Sequence, residues 1–260
     1  MKNLRKFPKI SIIMNCYNGE KYLRKSISSV IHQTYKNWEL IFWDNNSSDN
    51  SASIFKDFKD KRLKYYKSNN YLKLYKARNK ALEKSKGKYV TFIDTDDWWL
   101  KKKLERQITT LSDNKSYNII YSNWYVFSEQ TKRKKIFNNT KLPSGLITQK
   151  LLNKYELNIG TIMIKKNIFN KFKFNEKFEI IGDFDLFMKL SLKYKFLSIQ
   201  IPLSYYRLHE KNFSKNYKLH ELELREWIRK NRKVLKNKGL DLSKQLIYLY
   251  KLKLKSALHL

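Results

Sequence analysis

The chain has 260 residues, of which 42% are hydrophobic and 15% aromatic, and its formal net charge is +33 at pH 7. This composition allows one substantial hydrophobic core, while the single cysteine, Cys16, excludes a disulfide framework and a cysteine-based zinc site. The charge favours polyanionic partners, although abundant Lys, Asn, Ile and Tyr also indicate an AT-rich genome, to which we attribute about half of the excess charge.

The beginning of the chain and its hydropathy bear on location. Met1 to Lys9 is basic but leads into only a short apolar run, which predicts no signal peptide. No run of about 18 uncharged apolar residues occurs, so we expect no transmembrane helix. With one cysteine, these features predict a cytoplasmic protein, and a peripheral position at the inner face of the membrane stays open.

The first part of the chain alternates between short apolar runs and amphipathic segments. Strands are predicted at 10–15, 38–43, 63–66 and from 89, with helices at 22–33, up to 58 and at 75–85. Such alternation implies a parallel sheet covered by helices on both faces. Ligands bind beyond the carboxyl ends of the strands in these sheets, so polar side chains there are candidate site residues.

The fourth predicted strand ends in three carboxylates, Asp94, Asp96 and Asp97. Alternation along a strand points Asp94 and Asp96 the same way, so this Asp-x-Asp can present two hard oxygen ligands to one cation. Such a cation can bridge a diphosphate. The alternative is that Asp96 or Asp97 caps a helix that starts near Lys101.

Polar side chains also follow the first two predicted strands. Asn15 and Tyr17 end the first strand, and Asp44 and Asn45 end the second. Convergence of three strand ends on one crevice favours a ligand site, because helix caps need not cluster. The Gly-x-Gly-x-x-Gly and Walker patterns are missing from the sequence, which argues against a dinucleotide enzyme and a P-loop nucleotidase.

The pattern is looser after Leu111. We predict a strand at 119–123, a basic turn at 131–135, a loop at 140–145, a short helix at 148–155 and a strand at 159–164. Long helices are predicted from Tyr217 onward, interrupted at Gly239.

A set of segments in this order resembles family-two glycosyltransferases. They are Tyr17-Asn18-Gly19-Glu20, Gln33-Thr34-Tyr35, Trp38-Glu39-Leu40, Asp44 to Asp49, Ala77-Arg78-Asn79, Gly87-Lys88-Tyr89 and Asp94 to Asp97. The resemblance covers residues 9–209 and is specific as a set. It implies a GT-A fold, which is a Rossmann-like, mostly parallel α/β sheet with helices on both faces, plus a C-terminal helical extension.

The resemblance also implies how the chain is divided. We expect a catalytic domain at 1–215, with its nucleotide-sugar half at about 9–123 and its acceptor half at about 124–215, and a basic helical extension at 216–260. The implied enzyme is an inverting glycosyltransferase of the hexosyltransferase type, which uses a nucleotide-diphosphate sugar as donor.

The resemblance assigns four residues to the nucleotide. Asn15 and Tyr17 match positions that hold the nucleoside, and Arg78 matches a basic residue near the phosphates, which a guanidinium fits well. Asn45 matches a position where the family often has an Asp that reads the base. Because an amide donates as well as accepts, this departure leaves the preferred base open.

Asp94 and Asp96 match the Asp-x-Asp of the family. Asp96 is the expected ligand of Mg²⁺ or Mn²⁺, and Asp94 is the expected ribose contact and a second candidate metal ligand. A divalent cation would stabilise the nucleoside diphosphate that leaves. Arg207 is expected to contact phosphate, and His209 to approach the metal or diphosphate, unless His209 is simply a packed or solvated histidine.

Asp183 is the candidate general base, because an inverting transfer needs a carboxylate that takes the proton of the acceptor hydroxyl. The family usually has Glu-Asp here, and Gly182 replaces the Glu. The alternative is that Asp183 caps the following helix. Asp185 is expected to be structural, through pairing or capping.

The C-terminal segment is strongly basic, with fifteen Lys or Arg against five Asp or Glu between Tyr206 and Leu260. A basic amphipathic tail can dock on an anionic membrane. The alternative, which we favour, is a helix packed on the catalytic domain with a solvated basic face.

Taken together, the residues favour a metal-dependent enzyme that adds a sugar to a glycan or lipid-linked acceptor in cell-surface polysaccharide synthesis. One alternative is a catalytically silent nucleotide-sugar binder, against which Asp94, Asp96 and Asp183 argue. The other is a basic nucleic-acid-binding protein. We expect no nucleic-acid partner, because the aromatic residues fall at core-like positions and no recognition motif occurs.

Overall fold

A computed structural model describes residues 8–258 of the chain. The expectation of no signal peptide rests largely on residues 1–7, which lie outside this range, as do the last two residues of the predicted C-terminal extension.

The strands are β1 (Ile10–Cys16), β2 (Trp38–Asp44), β3 (Leu63–Lys67), β4 (Tyr89–Phe92), β5 (Trp98–Trp99), β6 (Ile119–Ser128), β7 (Lys134–Ile136), β8 (Met163–Lys165) and β9 (Phe196–Leu208). The helices are α1 (Glu20–Ile31), α2 (Ser51–Asp57), α3 (Leu74–Glu83), α4 (Lys103–Asp113), α5 (Thr148–Asn153), α6 (Gly182–Ser191), α7 (Tyr217–Asn237) and α8 (Ser243–Ala257).

The strands of the described range form one sheet in the order β3-β2-β1-β4-β8-β6-β9-β5, and β7 pairs with β6. Strand β1 lies parallel to β2 and β4, and β2 lies parallel to β3. The first four strands therefore confirm the predicted strand and helix alternation. In the second half, β8 lies antiparallel between β4 and β6, while β6 and β9 are parallel.

Two predicted features of the second half differ from the structure. The strand predicted at 159–164 is wrong in its first half, because Ile159–Thr161 forms a 3₁₀ turn and β8 begins only at Met163. The Asn158 side chain accepts a hydrogen bond from the backbone N–H of Gly160 and so favours the turn. The long strand β9 was not expected, since it contains Pro202 and pairs with irregular register.

Apolar side chains are buried on both faces of the sheet. On β1, Ile12 and Met14 belong to the core under α1, α2 and α4, whereas Ile13 belongs to the core under α3, α5 and α6. The predicted apolar stripe of α7 is buried in this second core, and it comprises Leu224, Trp227, Ile228 and Leu235. These features confirm an α/β fold with helices on both faces. No helix within residues 8–258 combines the length and the apolar character needed to span a membrane.

Candidate active site

The turn after β4 carries Asp94, Asp96 and Asp97 and is called the acidic turn below. Helix α3 contacts it on one side. Arg78, which is only 4% exposed, places a guanidinium nitrogen 2.5 Å from Asp94 Oδ1. Burial raises the pKa of Asp94, and the positive charge of Arg78 opposes that rise. The predicted phosphate contact and the predicted ribose contact therefore form an ion pair with each other.

The end of β9 holds the same turn from the other side. The backbone N–H of Arg207 donates to Asp97 Oδ1 at 2.9 Å, and Arg207 Nε donates to the carbonyl oxygen of Asp96 at 2.8 Å. Helix α4 begins at Lys103 without a side-chain cap. The alternative that Asp96 or Asp97 caps this helix is therefore wrong, and Asp97 instead fixes the turn to β9.

Arg207 has a defined place beside this turn. Its guanidinium carbon lies 4.3 Å from the ring centroid of Tyr22 and 4.7 Å from that of Trp98, so the cation packs between two aromatic rings. Only 7% of the residue is exposed. Arg207 donates hydrogen bonds to the backbone oxygen of Asp96 and to the side chain of Asp97, and it therefore fixes the shape of the acidic turn.

Asp96 and His209 are adjacent on the wall of an open cavity of about 840 Å³. His209 Nε2 lies 2.9 Å from Asp96 Oδ2, and the two side chains are 10% and 26% exposed. A carboxylate oxygen and an imidazole nitrogen are both metal-ligand types, and carboxylates suit Mg²⁺ and Mn²⁺. The pair therefore fits the predicted cation, although the described residues contain no group of three or more His, Cys, Asp or Glu placed to hold one.

Two exposed aromatic rings lie together at the carboxyl ends of β1 and β3. Tyr17 is 53% exposed and Tyr71 is 50% exposed, and their ring centroids are 4.6 Å apart. Tyr17 was predicted as a nucleoside contact, whereas Tyr71 was missed, because it lies in a loop without a motif. Exposed aromatic rings of this kind offer a nucleobase an apolar face.

The amides of Asn15 and Asn45 have different surroundings. The Asn45 side chain donates to Leu72 O at 2.7 Å and accepts from Leu72 N at 3.1 Å, so it holds the segment that carries Tyr71. Both polar atoms of the Asn15 side chain are buried, and neither has a hydrogen-bond partner within residues 8–258. A buried amide without a partner is costly and is therefore suited to a bound polar ligand.

Asp183 lies in the first turn of α6 and is held in one orientation. Its Oδ1 accepts hydrogen bonds from Phe184 N at 2.8 Å and from the Tyr75 hydroxyl at 3.2 Å, and Tyr75 also contacts Ile180 O at 2.9 Å. Burial raises the pKa of Asp183, and the Arg78 guanidinium opposes the rise. A raised pKa makes the carboxylate a stronger base.

The Tyr75 ring explains why residue 182 is glycine, at a position where the family that this sequence resembles usually has Glu. A Cβ atom on Gly182 would lie 2.4 Å from Tyr75 Cδ2, which is far inside van der Waals contact. Tyr75 is only 2% exposed and cannot move aside easily. In this chain a buried phenol therefore fills the space next to the candidate base.

Helix α7 holds the beginning of α6. The Glu223 carboxylate accepts from the backbone N–H groups of residues 179–181, at 2.6, 2.9 and 3.1 Å. Asp185 accepts from Trp227 Nε1 at 3.1 Å and pairs with Lys189 at 2.6 Å, which confirms its expected structural role. Glu223 was missed, because a Glu in a basic helix looks like a solvated residue.

Comparisons with known proteins place these features in context. The sequence profile described as "Glycosyl transferase family 2" matches residues 11–189. The UDP-Glc:alpha-D-GlcNAc-diphosphoundecaprenol beta-1,3-glucosyltransferase WfgD of Escherichia coli is 34% identical over 84% of this chain and 83% of its own length. An uncharacterized glycosyltransferase of Methanocaldococcus jannaschii, MJ1057, is 32% identical over 77% of this chain and 71% of its own.

A solved structure has a similar fold. The crystal structure of S. aureus TarS 1-349 in complex with UDP superposes with a TM-score of 0.64 at 21% identity. The match covers 85% of this chain and 65% of the TarS 1-349 chain, so the present chain spans slightly less than two thirds of that chain. At this identity the likeness concerns the fold alone.

Proposed function

The chain belongs to glycosyl transferase family 2 and is a glycosyltransferase, and we propose that it moves a sugar from a nucleotide-diphosphate donor to a lipid-linked saccharide with inversion. The observation that carries this proposal is Asp183, a partly buried carboxylate with a raised pKa, held by Tyr75 and close to the Asp94 and Arg78 ion pair. This geometry supports the proposal that Asp183 acts as a base near the turn that holds the diphosphate.

The donor is proposed to lie along the carboxyl ends of β1, β2 and β4. The nucleobase packs on the rings of Tyr17 and Tyr71, and the unpartnered amide of Asn15 offers a donor and an acceptor to the nucleoside. Asn45 contributes by fixing the loop that carries Tyr71. The E. coli relative is named for UDP-Glc, and we therefore take a UDP-sugar as the donor to test first.

Mg²⁺ or Mn²⁺ is proposed to be held by Asp96 and His209, while Asp94 contacts the ribose and remains paired with Arg78. Mg²⁺ is usually bound through one or two carboxylates plus substrate phosphates, which suits this pair of side chains. When bound, the cation would supply Lewis-acid stabilisation of the leaving diphosphate. Arg78 adds a fixed positive charge at the same edge of the sheet.

The proton chemistry is assigned to Asp183. Its carboxylate takes the proton from the acceptor hydroxyl, and the hydroxyl oxygen forms a bond to the anomeric carbon from the face opposite the diphosphate. The bond between the anomeric carbon and the phosphate oxygen breaks, and its electrons leave with the nucleoside diphosphate. Attack from the opposite face inverts the anomeric centre.

The acceptor is proposed to be a saccharide attached to a lipid diphosphate, the class that the name of the E. coli relative specifies for that enzyme. Such an acceptor is used in cell-surface polysaccharide synthesis and would bring the protein to the inner face of the membrane. The basic C-terminal helices suit an anionic surface of this kind.

Thermal unfolding with nucleotides tests the donor assignment. We expect UDP and UDP-sugars to raise the melting temperature in the presence of Mn²⁺ but much less in EDTA, because a ligand that binds only the native state stabilises it. Asp96→Ala should lose the Mn²⁺-dependent part. The control is Asp57→Ala, whose carboxylate lies on the surface and pairs with Arg24. No stabilisation of the wild type by any nucleoside diphosphate would contradict the proposal.

A further inference from the structure

A second cavity, of about 600 Å³, lies beside Asp183, and Ser214 on its wall directly precedes Lys215 on the wall of the cavity at Asp96. Asp183 and Phe184 of α6 line one side, and Tyr155, which follows α5, lines another. Helices α7 and α8 close it with Leu224 and Ile247. The candidate base therefore contacts a pocket that the catalytic domain and the C-terminal helices line together.

The inner end of this cavity is polar. The Tyr155 hydroxyl is buried and lies beside the Asp183 carboxyl. Burial and the nearby Asp183 carboxyl raise its pKa, so it remains a neutral donor at physiological pH. A hydroxyl and a carboxylate next to each other suit a saccharide, whose hydroxyl groups both donate and accept.

The outer rim is cationic. Lys244 and Lys251 of α8 both line the cavity and are exposed, and across residues 8–258 neither forms an ion pair with an acidic side chain. They are seven residues apart, which places them on the same face of the helix, two turns from each other. Lys154 also lines the rim, but it is paired with Glu156 at 2.7 Å. Two unpaired ammonium groups suit a diphosphate.

Helix α8 also exposes apolar side chains near the cavity. Ile247 lines the cavity and is 49% exposed. An apolar stripe of exposed residues at intervals of four begins next to Ile247 without lining the cavity: Leu246, Tyr250, Leu254 and, just after α8, Leu258. Exposed apolar side chains that continue from a pocket indicate a binding surface for an apolar group.

We propose that this cavity binds the acceptor, a saccharide joined through a diphosphate to a long apolar chain. The saccharide lies at Asp183 and Tyr155, the diphosphate at Lys244 and Lys251, and the apolar chain along the stripe of α8. The polar end, the cationic rim and the neighbouring apolar stripe together supply the three kinds of contact that such a molecule requires. This assignment rests on the proposed function and adds the place and orientation of the acceptor.

The test is a titration of the full chain, loaded with UDP and Mn²⁺, with GlcNAc linked through diphosphate to an undecyl chain. We expect Lys251→Glu to bind this probe about tenfold more weakly, since it loses a charge-assisted hydrogen bond. Lys253→Glu, which makes the same charge change on the same helix but does not line the cavity, should bind it like the wild type. UDP affinity should be unchanged in both variants.

A second pair of variants tests the apolar wall. Ile247→Trp should narrow the cavity and weaken binding of the probe, whereas Val234→Trp, at an exposed position of α7 that does not line the cavity, should not. Equal probe affinity in Lys251→Glu, Ile247→Trp and the wild type would overturn the acceptor site and leave the donor assignment intact. Failure of the wild type to bind UDP would overturn the proposed function, and this inference with it.

Discussion

The pKa of Asp183 is raised by burial and lowered by the Arg78 charge and by hydrogen bonds, one of which comes from Tyr75. In Tyr75→Phe the pKa should rise further, and the acid limb of the kcat/KM profile should move to higher pH, because a base works only when deprotonated. The control is Tyr121→Phe, which also removes a buried hydroxyl but one bonded to Pro143. An unmoved acid limb would show that Tyr75 does not hold the base.

The contact between Gly182 and Tyr75 predicts a specific loss of stability. Gly182→Ala should lower the free energy of unfolding by about 1–3 kcal/mol, the usual cost of overpacking, because the new Cβ would lie 2.4 Å from the Tyr75 ring. Urea unfolding of Gly182→Ala, Tyr75→Ala and the double variant measures the coupling. The double variant should be more stable than the sum of the two losses predicts, and strict additivity would contradict the steric explanation.

Candidate site residues could be named from the sequence where a local motif carries them. Asp94 and Asp96 follow a predicted strand, and Asp183 was named from the resemblance to the family; the structure has the first two after β4 and the third in the first turn of α6. Tyr75 could not be predicted in its role, because its partner Asp183 lies 108 residues away in the sequence. Tyr71 was missed for a related reason, since only the folded loop brings it to Tyr17.

Helix α7 stabilises the segment before α6 through the carboxylate of Glu223. Glu223→Ala should lower the free energy of unfolding by about 1.5–3 kcal/mol, because three buried or partly buried backbone N–H groups before Gly182 would lose a charged acceptor. Glu226→Ala is the matched control on the same helix, and it should leave stability nearly unchanged, since that side chain is exposed and pairs only with Lys230. Equal losses in the two variants would refute the capping role of Glu223.

At the scale of elements, periodicity predicted the first half of the sheet better than the second. Strands β1 and β2 are continuous apolar runs joined by amphipathic helices, so their pattern alone indicates parallel pairing. Strand β9 carries Gln200, Pro202 and partly exposed positions, and its pairing with β6 is interrupted. Strand β9 forms because it pairs with β6, and a pattern read from the β9 residues alone contains no information about that partner.

The net charge of +33 and the exposed apolar stripe of α8 together predict membrane binding at the scale of the whole molecule. The protein should sediment with vesicles that contain anionic lipid and should be released by about 0.5 M salt, because screening weakens exposed charge interactions. Vesicles of neutral lipid measure the apolar contribution alone. Equal binding to neutral and anionic vesicles would exclude a role for the basic helices in docking.

In the proposed reaction Asp183 takes the proton, while the Asp96 side of the sheet holds the donor. The most direct measurement is the rate of sugar transfer by Asp183→Asn together with its affinity for the UDP-sugar. We predict a loss of about 10²–10⁴-fold in kcat, the usual contribution of a general base, with donor affinity unchanged. Transfer by Asp183→Asn at the rate of the wild type would show that Asp183 is not the general base.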